Sequence, residues 1–176
     1  MNVNDTFDIR GAESHIEVYK FRGGSIIVAT ALALITQALL PVYLPRTAML
    51  DFPLLITVYF ALSRRNPSTG LLLGMVIGLL QDSLSKAYFG LNGIAKTVIG
   101  YLASSIGARL DTEHPAARFA LTAVFYVMQQ LIVALTERLL LAKPEVWFST
   151  RLAIAAGVNG IVGMFLFIAL DRLRKS

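Results

Sequence analysis

Apolar runs alternate with short polar interruptions along nearly the whole chain. After a mixed polar stretch over residues 1–22, a first apolar run extends from Ser25 to Leu44, where Pro41 and Pro45 are expected to kink and then end a helix. A second opens with Asp51-Phe52-Pro53, a helix start with Asp51 as N-cap and Pro53 in the first turn, and meets Arg64 and Arg65. Four more runs follow: Thr69 to Leu84, Leu91 to Ala108, Ala117 to Leu141 and Arg151 to Leu170. At about 20 residues per crossing, these lengths predict six transmembrane helices. The second run is the doubtful one. Starting even at Ala48 it reaches only about 24 Å at 1.5 Å per residue, against a hydrocarbon core of about 30 Å. A re-entrant segment or a short, thinned span are the alternatives.

Composition sets the class. Of the 176 residues, 56% are hydrophobic and 15% charged, and mean hydropathy is +0.65. Soluble domains carry about 25% charged residues, so the pattern is that of an all-α membrane protein with no room for a soluble domain. The chain divides into a polar cytoplasmic segment, 1–22, and a six-helix domain, 23–176. The first segment lacks the plan of a signal peptide. Phe7, Ile9, Ile16, Tyr19 and Phe21 form at best one weak amphipathic face, and a partly ordered tail is the plainer reading. Without cysteine the chain makes no disulfide and does no thiol chemistry.

The net charge of +5 bears on topology rather than on nucleic acid. With six crossings and both termini cytoplasmic, Arg10, Lys20, Arg22, Arg64, Arg65, Arg109, Arg118, Arg172, Arg174 and Lys175 lie inside, 10 groups. Arg46, Lys86, Arg138, Lys143 and Arg151 lie outside, 5 groups, with Lys96 in a span. If the second run does not cross, the count becomes 7 inside against 8 outside. The positive-inside rule favours six crossings. Trp147 in the outer loop suits the interfacial aromatic belt.

The third and fourth runs carry the most informative pattern. Gly70, Gly74, Gly78 and Asp82 recur every four residues, on one helix face. Gly93, Lys96, Gly100 and Gly107 form a matching face on the next helix. A short outer turn makes the two helices antiparallel neighbours, and small residues let helix backbones approach closely in lipid. Gly160 and Gly163, with Ala153 and Ala156, form a third small-residue ridge on the last helix, and Ala29 and Ala33 a smaller one on the first. Asp82, Lys96, Asn92 and Gln81 are the candidate polar pair and pocket. A lysine within a span needs a reason: it snorkels to the outer headgroups, or it pairs with Asp82 across the seam and seals the outer end of the bundle. Asp82 has its own alternative partner in Lys86, four residues on. Gln129, Gln130 and Asn159 are candidates for hydrogen bonds between helices, and Tyr126 and Gln130 share one face.

Recognisable chemistry is missing. His15 and His114 are the only histidines, neither in a metal-ligand pattern. No nucleophile elbow, P-loop or Rossmann glycine pattern occurs. The sequence therefore predicts no catalytic, cofactor or metal site and no enzymatic activity.

From Asp51-Phe52-Pro53-Leu54-Leu55 through Gly70-x-x-x-Gly74, Gly78-Leu79-Leu80-Gln81-Asp82 and Gly90-Leu91-Asn92-Gly93-Ile94-Ala95-Lys96-Thr97-x-x-Gly100-Tyr101, the chain resembles the MreD family of rod shape-determining proteins. The detailed match runs from about Asp51 to Gly107. The resemblance implies a multi-pass protein of the bacterial inner membrane, with a fold similar to the substrate-binding subunits of energy-coupling-factor transporters. It implies a non-catalytic scaffold of the cell-elongation complex that binds MreC and links it, with cytoplasmic MreB filaments, to the peptidoglycan synthases. Membrane lipids are the other expected partners, and nucleic acid is not one. A small-molecule-binding transporter subunit is the alternative function on the same fold. The first-helix alanines or the last-helix ridge are the expected docking faces for a partner's single helix.

Overall fold

The computed structural model describes residues 23–85, 88–109, 114–141 and 149–172. Its regular structure is helical throughout: α1 (Gly23–Tyr43), a 3-10 turn (Pro45–Met49), α2 (Phe52–Arg64), α3 (Pro67–Leu84), α4 (Leu91–Gly107), α5 (Pro115–Leu141) and α6 (Thr150–Asp171). The polar N-terminal segment lies outside the described residues, as do Lys86 and the loop that carries Trp147. Two starts move earlier than the apolar pattern implies, because Pro67 and Pro115 open α3 and α5. A proline at the first helical position gives up only an N–H that had no partner there. Pro41 sits inside α1 without ending it. Pro45 opens the 3-10 turn, which apolar periodicity did not reveal.

α2 occupies the centre. It is in contact with all five other α-helices, and every residue from Pro53 to Leu62 is buried. A helix buried on all sides has no polar face to present, which is why its run LLITVYFAL shows no amphipathic period. At 13 residues α2 is about 20 Å long. Among the described residues, three helices are long and apolar enough to cross a membrane: those at Gly24–Tyr43, Pro115–Leu140 and Thr150–Asp171.

α3 and α4 make the largest helix–helix interface among the described residues. Their glycine stripes meet there. A Cβ at Gly74 would overlap the Lys96 carbonyl, one at Gly78 the Asn92 carbonyl, and one at Gly100 the Gly70 carbonyl. The backbones are thus nearly in contact, and no residue larger than glycine fits without moving them. Gly107 leaves this seam and lies against Leu62 of α2. On α6, Gly160 faces Phe119 and Gly163 faces Thr122 of α5. That ridge is consumed within the chain and is not the open docking face expected of it, whereas Ala153 is exposed. Ala29 and Ala33 are buried against the core that includes Ile56 of α2, and both also line the apolar groove between α1 and α6.

Candidate functional site

The site begins with the start of α2. Asp51 precedes the helix and caps it, its Oδ1 accepting from the Leu54 N–H at 2.9 Å. A carboxylate at a helix N-terminus meets both unsatisfied N–H groups and the positive end of the helix dipole. Asp51 is only 7% exposed, so α2 starts inside the protein, and its remaining donors need partners there. Neighbouring helices supply them. The Asp51 N–H donates to Oδ1 of Asn159 on α6 at 3.0 Å. The Phe52 N–H donates to Oε1 of Gln37 on α1 at 3.0 Å. Asn159 also donates through Nδ2 to the Met49 carbonyl at 2.8 Å, tying down the irregular backbone just before the helix.

Lys96 completes the cluster. Its side chain is fully buried, and Nζ lies 2.9 Å from Oδ2 of Asp51. Nζ also donates to Oε1 of Gln129 at 2.9 Å, and Gln129 Nε2 donates to the same Asp51 oxygen. A third acceptor, Asn92 Oδ1, stands at 3.5 Å. Three oxygens therefore surround the three ammonium protons. The expected partner was Asp82, and the structure overturns that pairing: Lys96 reaches across to α2 and α5, not back to α3, and it does not snorkel.

Asp82 instead organises the start of α4. It is 3% exposed. Its Oδ2 accepts from the N–H groups of Gly90 at 2.9 Å and Gly93 at 3.0 Å. Its Oδ1 accepts from the Asn92 N–H at 3.2 Å and from Asn92 Nδ2 at 2.9 Å. Gly90, at φ 100°, provides the left-handed turn that aims these donors at one carboxylate. A side chain from α3 thus does for α4 what an N-cap residue would do.

The two carboxylates are linked through Asn92, which donates to Asp82 and accepts from Lys96. The network includes Gln37, Asp51, Asp82, Asn92, Lys96, Gln129 and Asn159, and so joins α1, α3, α4, α5 and α6 to the cap of α2. Gln81, the remaining pocket candidate, stands apart: its Oε1 is buried without a hydrogen-bond partner. At the opposite end of α2, Tyr59 donates to Asp171 at 2.9 Å, and Arg118 pairs with Asp171 at 2.6 Å. Among the described residues, no group of three or more His, Asp or Glu side chains is placed to hold a metal.

Sequence reasoning placed Asp51 as a cap but missed it as the counter-charge of Lys96. Forty-five residues separate the two, and no helical period spans that distance. The one available signal was balance: a lysine inside an apolar run requires an acid, and Asp51 and Asp82 both border apolar runs.

Beside the network, a cavity of about 400 Å³ lies between the 3-10 turn, α5 and α6, with Tyr126, Gln130, Glu137 and Arg151 among its lining residues. A larger apolar groove of about 820 Å³ runs between α1 and α6, floored by Phe52 and Ile56 of α2.

The family model described as rod shape-determining protein MreD matches residues 20–170 of the chain. No curated protein and no solved structure matches it.

Proposed function

The chain belongs to the MreD family, whose members act in rod shape determination, and from that premise we propose that it is a non-catalytic membrane scaffold of the cell-elongation machinery. In this reading it crosses the inner membrane six times with both termini in the cytoplasm. It holds the single-span protein MreC, and through it helps to link MreB filaments to peptidoglycan synthesis. The fold similarity to substrate-binding subunits of energy-coupling-factor transporters belongs to the same proposal.

One observation carries it: the conspicuous charges of the bundle satisfy one another. Asp51, Lys96, Gln129 and Asn159 close on themselves, and Asp82 is spent on the turn into α4. Groups saturated in this way give rigidity and register, not a surface for turnover. The network also makes a short α2 tolerable in lipid. Irregular backbone at membrane depth survives only where the protein meets its hydrogen bonds, and Gln37 and Asn159 do that around Met49–Phe52. A rigid bundle with a lipid-exposed periphery offers a partner helix a fixed surface on which to pack.

The cavity of about 400 Å³ between α5 and α6 favours the second reading, a ligand-binding transporter subunit, since ligand pockets combine apolar walls with a few convergent polar groups. Detergent pull-down of the tagged protein from its native membrane separates the two. Co-purification of a single-span periplasmic protein with wall-synthesis enzymes is the expected result. Recovery of an ATPase pair with a coupling subunit would replace the scaffold with the transporter.

A further inference from the structure

The cavity of about 400 Å³ between the 3-10 turn, α5 and α6 holds a charge that nothing in it answers. Its α5 wall carries Tyr126, Gln130, Ala134 and Glu137, which recur every three or four residues on one helix face. From Tyr126 to Glu137 that wall runs about 16 Å, at 1.5 Å per residue. The floor is at Tyr126, which is buried and whose hydroxyl is within hydrogen-bonding reach of Gln130. It adjoins the central network, since Met49 and Ala155 line the cavity and both give their carbonyls to Asn159. The mouth is charged. Glu137 stands on one side and has an interaction of its own. Arg151 of α6 stands on the other, exposed. Lys96 and Arg118 have carboxylate partners, whereas Arg151 has no ion-pair partner among the described residues. It also lies in the first turn of α6, where the helix dipole disfavours a cation. Its charge acts on the Tyr126 hydroxyl, so it is felt inside the cavity and not only at the surface.

A guanidinium, a carboxamide and a phenol around one space offer hydrogen-bond donors to oxygen, and the planar guanidinium fork matches the oxygens of a phosphate. Leu131, Val133 and Leu152 give the same space apolar walls. Its volume is within the range of small-ligand sites. Donors at graded depth beside apolar walls suit an amphiphile better than a free ion. We propose that the α5–α6 cavity binds the headgroup of a phosphate-bearing lipid, with the phosphate against Arg151 and the ester oxygens below it against Gln130 and Tyr126. The inference goes beyond both readings of function and depends on neither. A resident lipid also accounts for the cavity without transport.

Native mass spectrometry of the full-length protein in a neutral maltoside detergent tests this with three probes. They are a short-chain phosphatidylglycerol, the matching diacylglycerol, which lacks the phosphate, and inorganic phosphate. One phosphatidylglycerol per chain is expected to bind, and the diacylglycerol is not. Arg151→Gln is expected to weaken that binding about tenfold, as for the loss of a charge-assisted hydrogen bond. Ala134→Phe fills the cavity and leaves every charge in place, and it is expected to weaken binding to a similar extent. Arg46→Gln, at an exposed position on the 3-10 turn and outside the cavity lining, is the control and should change nothing. Thermal unfolding shows that each variant is folded. If Ala134→Phe fails to fold, Arg151→Gln and the comparison with diacylglycerol still decide. Equal binding of diacylglycerol, or binding that Arg151→Gln leaves unchanged, overturns the site. Binding that Arg151→Gln weakens but a folded Ala134→Phe does not overturns the cavity in favour of an arginine at the surface. Binding of inorganic phosphate, lost in Arg151→Gln, with none of phosphatidylglycerol overturns the lipid and leaves a soluble phosphate in its place.

Discussion

Lys96 has the environment that matters most at the scale of single residues. Taking an ammonium and a carboxylate out of water costs several kcal/mol per ion, and good geometry with full hydrogen bonding is needed to offset it. Lys96 has both, with Asp51 at 2.9 Å and Gln129 at 2.9 Å. Lys96→Met is expected to destabilise the protein by about 3–5 kcal/mol, because it strands Asp51 as an uncompensated buried charge. Adding Asp51→Asn, which keeps the helix cap, should restore most of that loss. Adding Asp82→Asn to Lys96→Met should not, because Asp51 would still be stranded without its counter-charge. Thermal unfolding of the four proteins in one detergent decides between Asp51 and Asp82 as the functional counter-charge. Asp82→Ala has its own expected cost of about 2–3 kcal/mol, since it leaves N–H groups at the start of α4 without an acceptor.

At the scale of elements, the α3–α4 seam and the end of α2 behave differently under substitution. Gly74→Ala puts a methyl group on the Lys96 carbonyl. Neither backbone can yield without disturbing the helix that carries Lys96. The expected loss is about 1–3 kcal/mol, as for other overpacked interiors. Gly157→Ala on α6 is the control. Its Cβ meets nothing within 4 Å, so the better helix propensity of alanine should leave stability unchanged or raise it by up to about 1 kcal/mol. Yield of folded protein and resistance to thermal unfolding read both. Elsewhere, element existence and order followed from the alternation of apolar runs and punctuation, and the starts shifted by a turn fraction where proline could open a helix. The 3-10 turn was not legible, because five residues carry too short a pattern to distinguish it from a loop. The exchange of roles on α4, where Gly93 and Gly100 face α3 while Lys96 faces α2 and α5, was not legible either. Residues three and four apart straddle a helix face, and only the neighbours decide which side each takes.

For the whole molecule, the disposition of α2 governs topology. If this 13-residue helix crosses, the 3-10 turn before it and the start of α3 after it lie on opposite sides of the membrane. Ala48→Cys and Ser68→Cys, both at exposed positions, test this with a membrane-impermeant thiol reagent. Labelling of Ala48→Cys from outside and of Ser68→Cys only after permeabilisation is expected. Labelling of both from one side would make α2 re-entrant and leave the termini on opposite faces. The charge asymmetry of the loops argues for the crossing. Whichever side it faces, α2 lies against every other α-helix and is anchored at both ends, by Gln37, Lys96, Gln129 and Asn159 at its start and by Asp171 near its close.

By itself the sequence determined what depends on local order: an all-helical chain, apolar runs of spanning length, glycine stripes at helical spacing, Asp51 as a cap, and the run from Asp51 to Tyr101 that marks the family. Each is a property of neighbours within a few turns, where geometry repeats and a pattern can be read. Tertiary structure alone decided the partners. That α2 is the buried centre, that Lys96 answers Asp51, that Asp82 caps a helix other than its own, and that the α6 ridge is closed by α5 while Gln81 is left without a donor are all relations between distant segments. A buried charge demands a counter-charge and a buried acceptor demands a donor, but that demand carries no address. Only the packing of six helices brings one side chain rather than another within hydrogen-bonding distance.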